Sequence, residues 1–545
     1  MKGKLTALFM AACLVATSMA ACGNSEGGNA PAASDEGAAG ESSAAADSGA
    51  ATDAGDDADA DADADADEDM AEISMTYLSM GPIPSDLQKV EDELNKITEA
   101  EINTHVTLDM LEPANFAQQV NLKMSSAEAF DLLCTMPSGT ASFNNMASQN
   151  QLMDITELLD EYGQDILSTV GDLMKSTTMD GKIYGVPTWR SLVTSTYVVM
   201  RTDVLEDLGL LEKAQNMTTL TEYEEILQAV KDSEKWNYLA GMAASDLVGT
   251  VLAMGGCYMG EDSFADYTCY DQLGDTNKMI AINPDGSDST VINNFKTDEY
   301  HKMYEKMKEW YDKGYVYGDV TTQTDKAGEM VKSNAVFSFF SQSEIGVEQA
   351  RETECGMPMT CVKMVTMPIS TSTCTKFVWA VPTTSNEPEA AMKMLNLMYT
   401  DSRVANLLAW GIEGVHYQVK DGVAYFMDGQ DANNCPYHTA DFLYGNQFLV
   451  LPWDGQPADF RDQAKAEMDS AEVSAYLGFA CDTTGISSEI SAVSNVIAEF
   501  LPSIDSGIAS QEDYDAFLEK LDGSGMPKIL EEYQNQLNTW LESQK

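Results

Sequence analysis

Between Ile73 and Cys134 the hydrophobic period changes repeatedly, and that alternation restricts the fold more than any other feature of the chain. Ile73, Met75 and Tyr77 recur every second residue, as in a strand. A loop with Gly81, Pro82 and Pro84 follows, and then Leu87, Val90, Leu94 and Ile97 recur at helical spacing. Ile102, Thr104, Val106 and Leu108 alternate again, Ala114 to Met124 reads as a helix, and Phe130 to Cys134 is a short apolar run. Strand, helix, strand, helix, strand is the order of a parallel sheet with crossover helices, an α/β fold. Ligands of such sheets gather beyond the carboxyl ends of the strands, here near Met80-Gly81-Pro82 and Thr135-Met136-Pro137.

The far end of the chain is helical. Tyr514, Phe517, Leu518 and Leu521 form one apolar face, and Ile529, Tyr533, Leu537, Trp540 and Leu541 form another after a break at Gly523 to Gly525. About 470 residues lie between Ala71 and the last residue, more than one compact core holds, so two or more lobes are expected.

What precedes Ala71 is of another kind. Lys2 and Lys4 lead into an apolar run from Leu5 to Met19 and the small pair Ala20 and Ala21, the three regions of a secretory signal over residues 1–21. The run falls short of the roughly 20 residues of a membrane span, and no stop-transfer charges follow it. From Gly23 to Met70 there is no Lys or Arg and almost nothing apolar larger than Ala, and an Asp-Ala alternation closes the stretch. Such a segment cannot offset its chain entropy by burial, so residues 22–71 are expected to form a disordered acidic linker with a reach of at least about 40 Å. Its Asp repeat lacks the Gly and terminal Glu of a calcium loop, and no metal site is expected.

The formal charge of -57 disfavours nucleic acid and anionic lipid as charge-driven partners. Cys134, Cys257, Cys269, Cys355, Cys361, Cys374, Cys435 and Cys481 have no metal or redox spacing, and no cofactor is expected. Of those that could pair outside the cytoplasm, Cys355 and Cys361 are nearest in sequence.

Several segments, taken in order, carry a resemblance. They are Gly181-Lys182-Ile183-Tyr184-Gly185-Val186-Pro187, Tyr197 to Arg201 leading into Val204 to Leu210, Trp310 to Tyr315, Ala380-Val381-Pro382 with Asn386 to Ala391, and Gly411 to Tyr417. Together they resemble the extracellular solute-binding proteins of ABC importers, of the sugar-binding family 1 type. Tyr444 to Phe448, Leu477-Gly478-Phe479 and the last helix are similar to an uncharacterised C-terminal module of one lipoprotein subgroup. Met19-Ala20-Ala21-Cys22 resembles a lipobox, in which Cys22 becomes the acylated first residue.

The resemblance implies a two-lobed periplasmic-binding-protein-like fold of type II, with an interlobe cleft, a hinge and a helical C-terminus. The expected division is lobe 1 over 72–188, lobe 2 over 189–375, a return segment of lobe 1 over 376–440, and a C-terminal module over 441–545 packed on lobe 2. Hinge crossings fall near Val186 to Thr196 and near Lys376 to Val381. The implied partners are a small-molecule solute, a sugar in particular, the membrane subunits of an ABC permease, and a membrane held through the lipid. A monomer on the extracytoplasmic face of the cell membrane is expected.

Sugar sites pair flat aromatics with carboxylate and amide groups. Trp189 and Arg190 follow Pro187 at the first crossing, where Trp189 either meets ligand or packs in the core, and Arg190 either meets ligand or bridges the lobes through an ion pair. Trp379 shares a strand face with Phe377 and Val381, which leaves it between core and ligand contact. Glu413, His416 and Tyr417 occupy a glycine-flanked loop, and Phe340 and Glu344 follow an apolar strand at whose end a lid residue could emerge. The competing class is an extracytoplasmic glycan-acting enzyme, but no catalytic signature such as His-Glu-x-x-His or Gly-x-Ser-x-Gly is present. A peptide as solute, and solute sensing in place of transport, fit the same segments.

Overall fold

The computed structural model describes residues 69–545 except 244, 247–248, 251–256, 259–261, 319–324 and 433. The expected signal, Cys22 and nearly all of the acidic linker lie outside the described residues.

Nine strands make two sheets, one per lobe. Counted along the chain these are β1 (Ala71–Leu78), β2 (Thr104–Leu111), β3 (Leu132–Cys134), β4 (Val186–Pro187), β5 (Ser195–Arg201), β6 (Ala240–Met242), β7 (Val336–Ser343), β8 (Met359–Thr366) and β9 (Val378–Ala380). The lobe 1 sheet runs β2-β1-β3-β9-β4. Strands β2, β1 and β3 are mutually parallel, and β9 runs antiparallel to both β3 and β4. The carboxyl ends of β1 to β4 and the amino end of β9 therefore share one edge, where Ser79, Thr135, Thr188 and Phe377 emerge.

Local chemistry explains how that sheet is finished. The helix Leu87–Ile102 presents Val90, Leu94 and Thr98 to the core at helical spacing. On the same face Asn95 donates to the Val106 carbonyl at 2.9 Å, and Glu91 accepts from Leu108 N at 2.7 Å. These side chains satisfy the backbone of the edge strand β2, which would otherwise template pairing with another chain.

The lobe 2 sheet runs β8-β5-β7-β6. In its register Ser195 lies opposite both Ser343 and Thr366, so the amino end of β5 and the carboxyl ends of β7 and β8 face lobe 1. Three segments cross between the lobes. Met367 N donates to the Thr194 carbonyl at 2.9 Å, Ile369 N to Glu472 at 2.8 Å, and Ser474 N to Ile369 at 2.8 Å.

These crossings correct the expected boundaries. The return to lobe 1 falls at Met367 to Ile369, ahead of Lys376, because Ile369 and Cys374 are already part of the lobe 1 core. Residues 441 onward do not begin a unit on lobe 2. Leu443, Tyr444, Val450, Trp453 and Met468 fill the lobe 1 core, and the chain passes to lobe 2 only at a third crossing near Ser474. From there Tyr476, Phe479 and the helices Ser487–Asp505, Gln511–Gly523 and Met526–Ser543 pack into the lobe 2 core. Tyr514 stacks on Tyr304 with ring centres 4.5 Å apart, and Phe517 meets Phe295 edge-on at 5.1 Å.

Cys355 and Cys361 are free thiols, contrary to the pairing raised by their proximity in sequence. Cys269 is disulfide-bonded and sits opposite Cys257 in an antiparallel strand pair. Among the described residues no helix is long and apolar enough to cross a membrane.

The terminal helices are core elements of lobe 2, and Leu537 is fully buried there. Leu537→Ala is expected to cost about 2–5 kcal/mol, read as a lower urea midpoint for the transition of lobe 2. An unchanged midpoint would show the helices to be a separable appendage.

Candidate ligand site at the lobe junction

The two facing sheet edges and the crossing segments bring together side chains distant in sequence. Arg190 lies on the first crossing, just past the carboxyl end of β4, and is 5 % exposed. Its guanidinium donates to Glu344 at 3.0 Å, to the Ser191 carbonyl at 2.8 Å and to the Thr373 carbonyl at 3.4 Å. Glu344 directly follows β7, so the pair joins lobe 1 to lobe 2. The Glu344 side chain keeps 39 % of its surface. Burial raises its carboxyl pKa, while Arg190 and Lys376 pull the other way. Lys376 precedes Phe377 at the same sheet edge, and burial together with the repulsion of Arg190 holds its ammonium pKa below the ordinary lysine value.

Around these charges stand aromatic faces. Phe377 and Phe442 have ring centres 5.3 Å apart, and Phe442 is half-buried. Next to Phe442, Asp441 pairs with Arg461, whose Nε also donates to the Val450 carbonyl at 3.0 Å. His438, half-buried, stacks on Trp410 at 4.8 Å and meets Trp453 at 4.5 Å and Phe426 at 5.2 Å. Burial among these rings lowers the His438 pKa to about 4, so its imidazole is neutral at physiological pH. The loop carrying Trp453 also touches lobe 2, where Gln349 donates to the Asp454 carbonyl at 2.8 Å. Lys363 of β8 pairs with Glu467 on the helix Phe460–Ser470.

The candidates named from sequence divide. Arg190 and Glu344 meet at the junction and take the interlobe reading. Trp189 is 8 % exposed; its ring meets Phe448 edge-on at 6.2 Å, and Lys465 lies over it at 5.8 Å, so it forms the wall behind Arg190. Trp379 is fully buried and spends its indole N–H on the Leu443 carbonyl at 2.7 Å, which makes it core. Phe340 packs in lobe 2 between Tyr223 and Trp310, also core. His416 is fully buried, accepts from Ile412 N at 2.9 Å and approaches Asp86 at 3.2 Å, which ties its loop to the loop after β1. Tyr417 is a buried member of a hairpin, its phenol pushed up to about 12 by burial. Glu413 is exposed at the tip of that loop.

Lys376 and Phe377 entered the sequence reading only as part of a crossing and a strand face, and Asp441, Phe442 and Arg461 did not enter it as site candidates. A Lys at the start of a strand and an Asp-Phe pair in a loop carry no periodic signal. Only the antiparallel insertion of β9 between β3 and β4 places Lys376 at the carboxyl edge. The half-buried rings and paired charges can stack on a ring face and exchange hydrogen bonds with hydroxyls. Among the described residues no His, Cys, Asp or Glu cluster has the makings of a metal site.

Two α/β lobes joined by three crossing segments, with an ion pair between the lobes, define a hinged ligand-capturing protein. The chain matches the family model described as bacterial extracellular solute-binding protein over residues 95–415, and it belongs to that family. Residues 475–542 match a second model, a domain of unknown function (DUF3502). A carbohydrate ABC transporter substrate-binding protein of Streptococcus pneumoniae is 23% identical over 487 residues, which cover 86% of this chain and 90% of that one. The crystal structure of the N-glycan transport solute binding protein NgtS of Streptococcus pneumoniae matches with a TM-score of 0.71 and 21% identity, covering 87% of this chain and 100% of the other. A solute-binding protein from Bifidobacterium longum infantis described as binding HMO matches with a TM-score of 0.59 and 16% identity, covering 86% and 99%.

The neutral His438 has a pH signature. Its folded pKa lies below that of an exposed histidine, so the unfolded chain binds the extra proton first, and this site's contribution to stability is lost as pH falls from about 6.5 toward 4. His438→Phe keeps an aromatic ring and removes the proton site. The variant's melting temperature is expected to fall less steeply than the wild type's across that window, and parallel curves would show that His438 is freely protonated.

Proposed function

We propose that this protein is the substrate-binding lipoprotein of an ABC importer, capturing a mono- or oligosaccharide between its lobes and delivering it to the permease. The observation that carries the reading is the junction itself. A half-buried aromatic face, Phe442 against Phe377, adjoins the edge at which Arg190 of one lobe pairs with Glu344 of the other. A sugar presents an apolar ring face edged by hydroxyls, and this arrangement complements both. A solute that touches both lobes stabilises the closed form by its differential contacts, and closure is what a permease can read. The names of the relatives, which refer to carbohydrate ABC transport and to N-glycan transport, support the same reading. Its role is capture without turnover.

Anchorage at the extracytoplasmic face belongs to the same proposal. Cys22, acylated after removal of residues 1–21, and the acidic linker confine the lobes near the membrane and raise their effective concentration at the permease. Cys22→Ala is expected to shift the protein from the membrane fraction into the medium in cell fractionation. Retention in the membrane would overturn the anchor.

Calorimetry against a panel of glycans and short peptides tests the solute class. Saturable heat from glycans is expected, with a smaller radius of gyration in X-ray scattering on saturation. Arg190→Ala is expected to weaken glycan binding about tenfold, equivalent to roughly 1.4 kcal/mol. Binding of peptides alone would overturn the sugar assignment, and unaltered affinity in the variant would remove Arg190 from the site.

A further inference from the structure

The junction holds more positive charge than its own partners neutralise. Arg461 is paired with Asp441 and tied to the Val450 carbonyl. Arg190 is paired with Glu344 and fixed by the carbonyls of Ser191 and Thr373. Lys376 stands within electrostatic range of both Arg190 and Glu344, yet no carboxylate or carbonyl of the described residues takes up its ammonium. Glu344 acts electrostatically on Lys376, but its carboxylate already engages Arg190 at 3.0 Å. The chain as a whole carries 88 acidic against 31 basic residues, so an uncompensated cation at this position runs against its composition.

Lys376 is half-buried at the junction, and an ammonium that closure of the lobes would draw further from water needs a partner there. The place of Lys376 is the carboxyl edge of the lobe 1 sheet, beside Phe377, whose carbonyl accepts from Thr188 N, and facing the lobe that carries Glu344. We infer that the captured solute carries a carboxylate that pairs with Lys376, so that the preferred ligand class is acidic oligosaccharides, with a uronic or sialic acid unit seated at the junction. Arg190 and Lys376 present a cationic floor to that unit. Phe442 and Phe377 flank it, and Glu344 accepts from its hydroxyls. Charge-assisted hydrogen bonds of this kind are about twice as strong as neutral ones, and water exclusion on closure strengthens them further. This inference rests on the proposed sugar-capturing function and adds the charge of the sugar.

The test uses matched pairs of glycans with the mature protein: lactose against 3′-sialyllactose, cellobiose against cellobiouronic acid, and galactotriose against trigalacturonic acid. At low salt the acidic member of at least one pair is expected to bind tenfold or more tightly than its neutral partner. Lys376→Gln is expected to reduce that ratio to below threefold, while Lys376→Arg retains it, and melting curves of both variants verify folding. Neutral members binding as well as or better than acidic ones would overturn the inference and leave the sugar reading intact. A preference that survives Lys376→Gln would overturn the role of Lys376. Binding of no glycan of either kind would take down both readings together.

Discussion

Everything in this molecule that involves two lobes depends on backbone hydrogen bonds among three crossing segments. Ile369 sits in the middle, donating to Glu472 and accepting from Ser474, while Met367 next to it donates to Thr194. A backbone that passes between two cores must satisfy its N–H and C=O groups without either sheet, and pairing the crossings with one another achieves this. The same bonds fix which way the lobes face. Ser195 begins β5 and Thr366 ends β8 opposite each other, so the lobe 2 edge they share lies toward the carboxyl edge of lobe 1. The ligand site follows from that arrangement.

Charge at the junction differs from charge elsewhere. Over most of the surface, acidic side chains confer solubility and repel one another weakly through water. Where the lobes meet, water is partly excluded and each charge counts for more. Arg190, Lys376 and Arg461 gather there with Glu344 and Asp441, whereas exposed pairs such as Lys96 with Glu93 carry little energy. Aromatic residues divide in the same way. Trp379 and Phe340 are consumed by their cores, while Phe442 remains half-buried against Phe377 at the junction.

The third crossing gives the terminal helices their meaning. Residues 475–542 match a domain of unknown function, yet in this fold they close the lobe 2 core through Tyr514, Phe517 and Leu537. Ser474 donates to Asp271 at 2.5 Å as the chain enters lobe 2, so the terminal segment is coupled to the hinge as well as to the core. Movement of one lobe against the other must therefore carry these helices along.

The period of the hydrophobic residues determined, without any tertiary information, that an α/β lobe begins near Ile73 and that the last helices are amphipathic, because strand and helix periods are local properties of the chain. Ordered motifs pointed to two hinged lobes, and a carboxyl edge was already the place to look for the site. Tertiary structure alone decided the rest. It moved the return crossing from Lys376 to Ile369, kept residues 441–473 with lobe 1, and sorted the candidates into wall, core and junction. Trp379 and Arg190 stand at equivalent places in the sequence argument. One is core and the other bridges the lobes because burial and pairing depend on what the neighbouring segments bring, and Leu443 and Glu344 come from 64 and 154 residues away. No local pattern encodes contacts of that range.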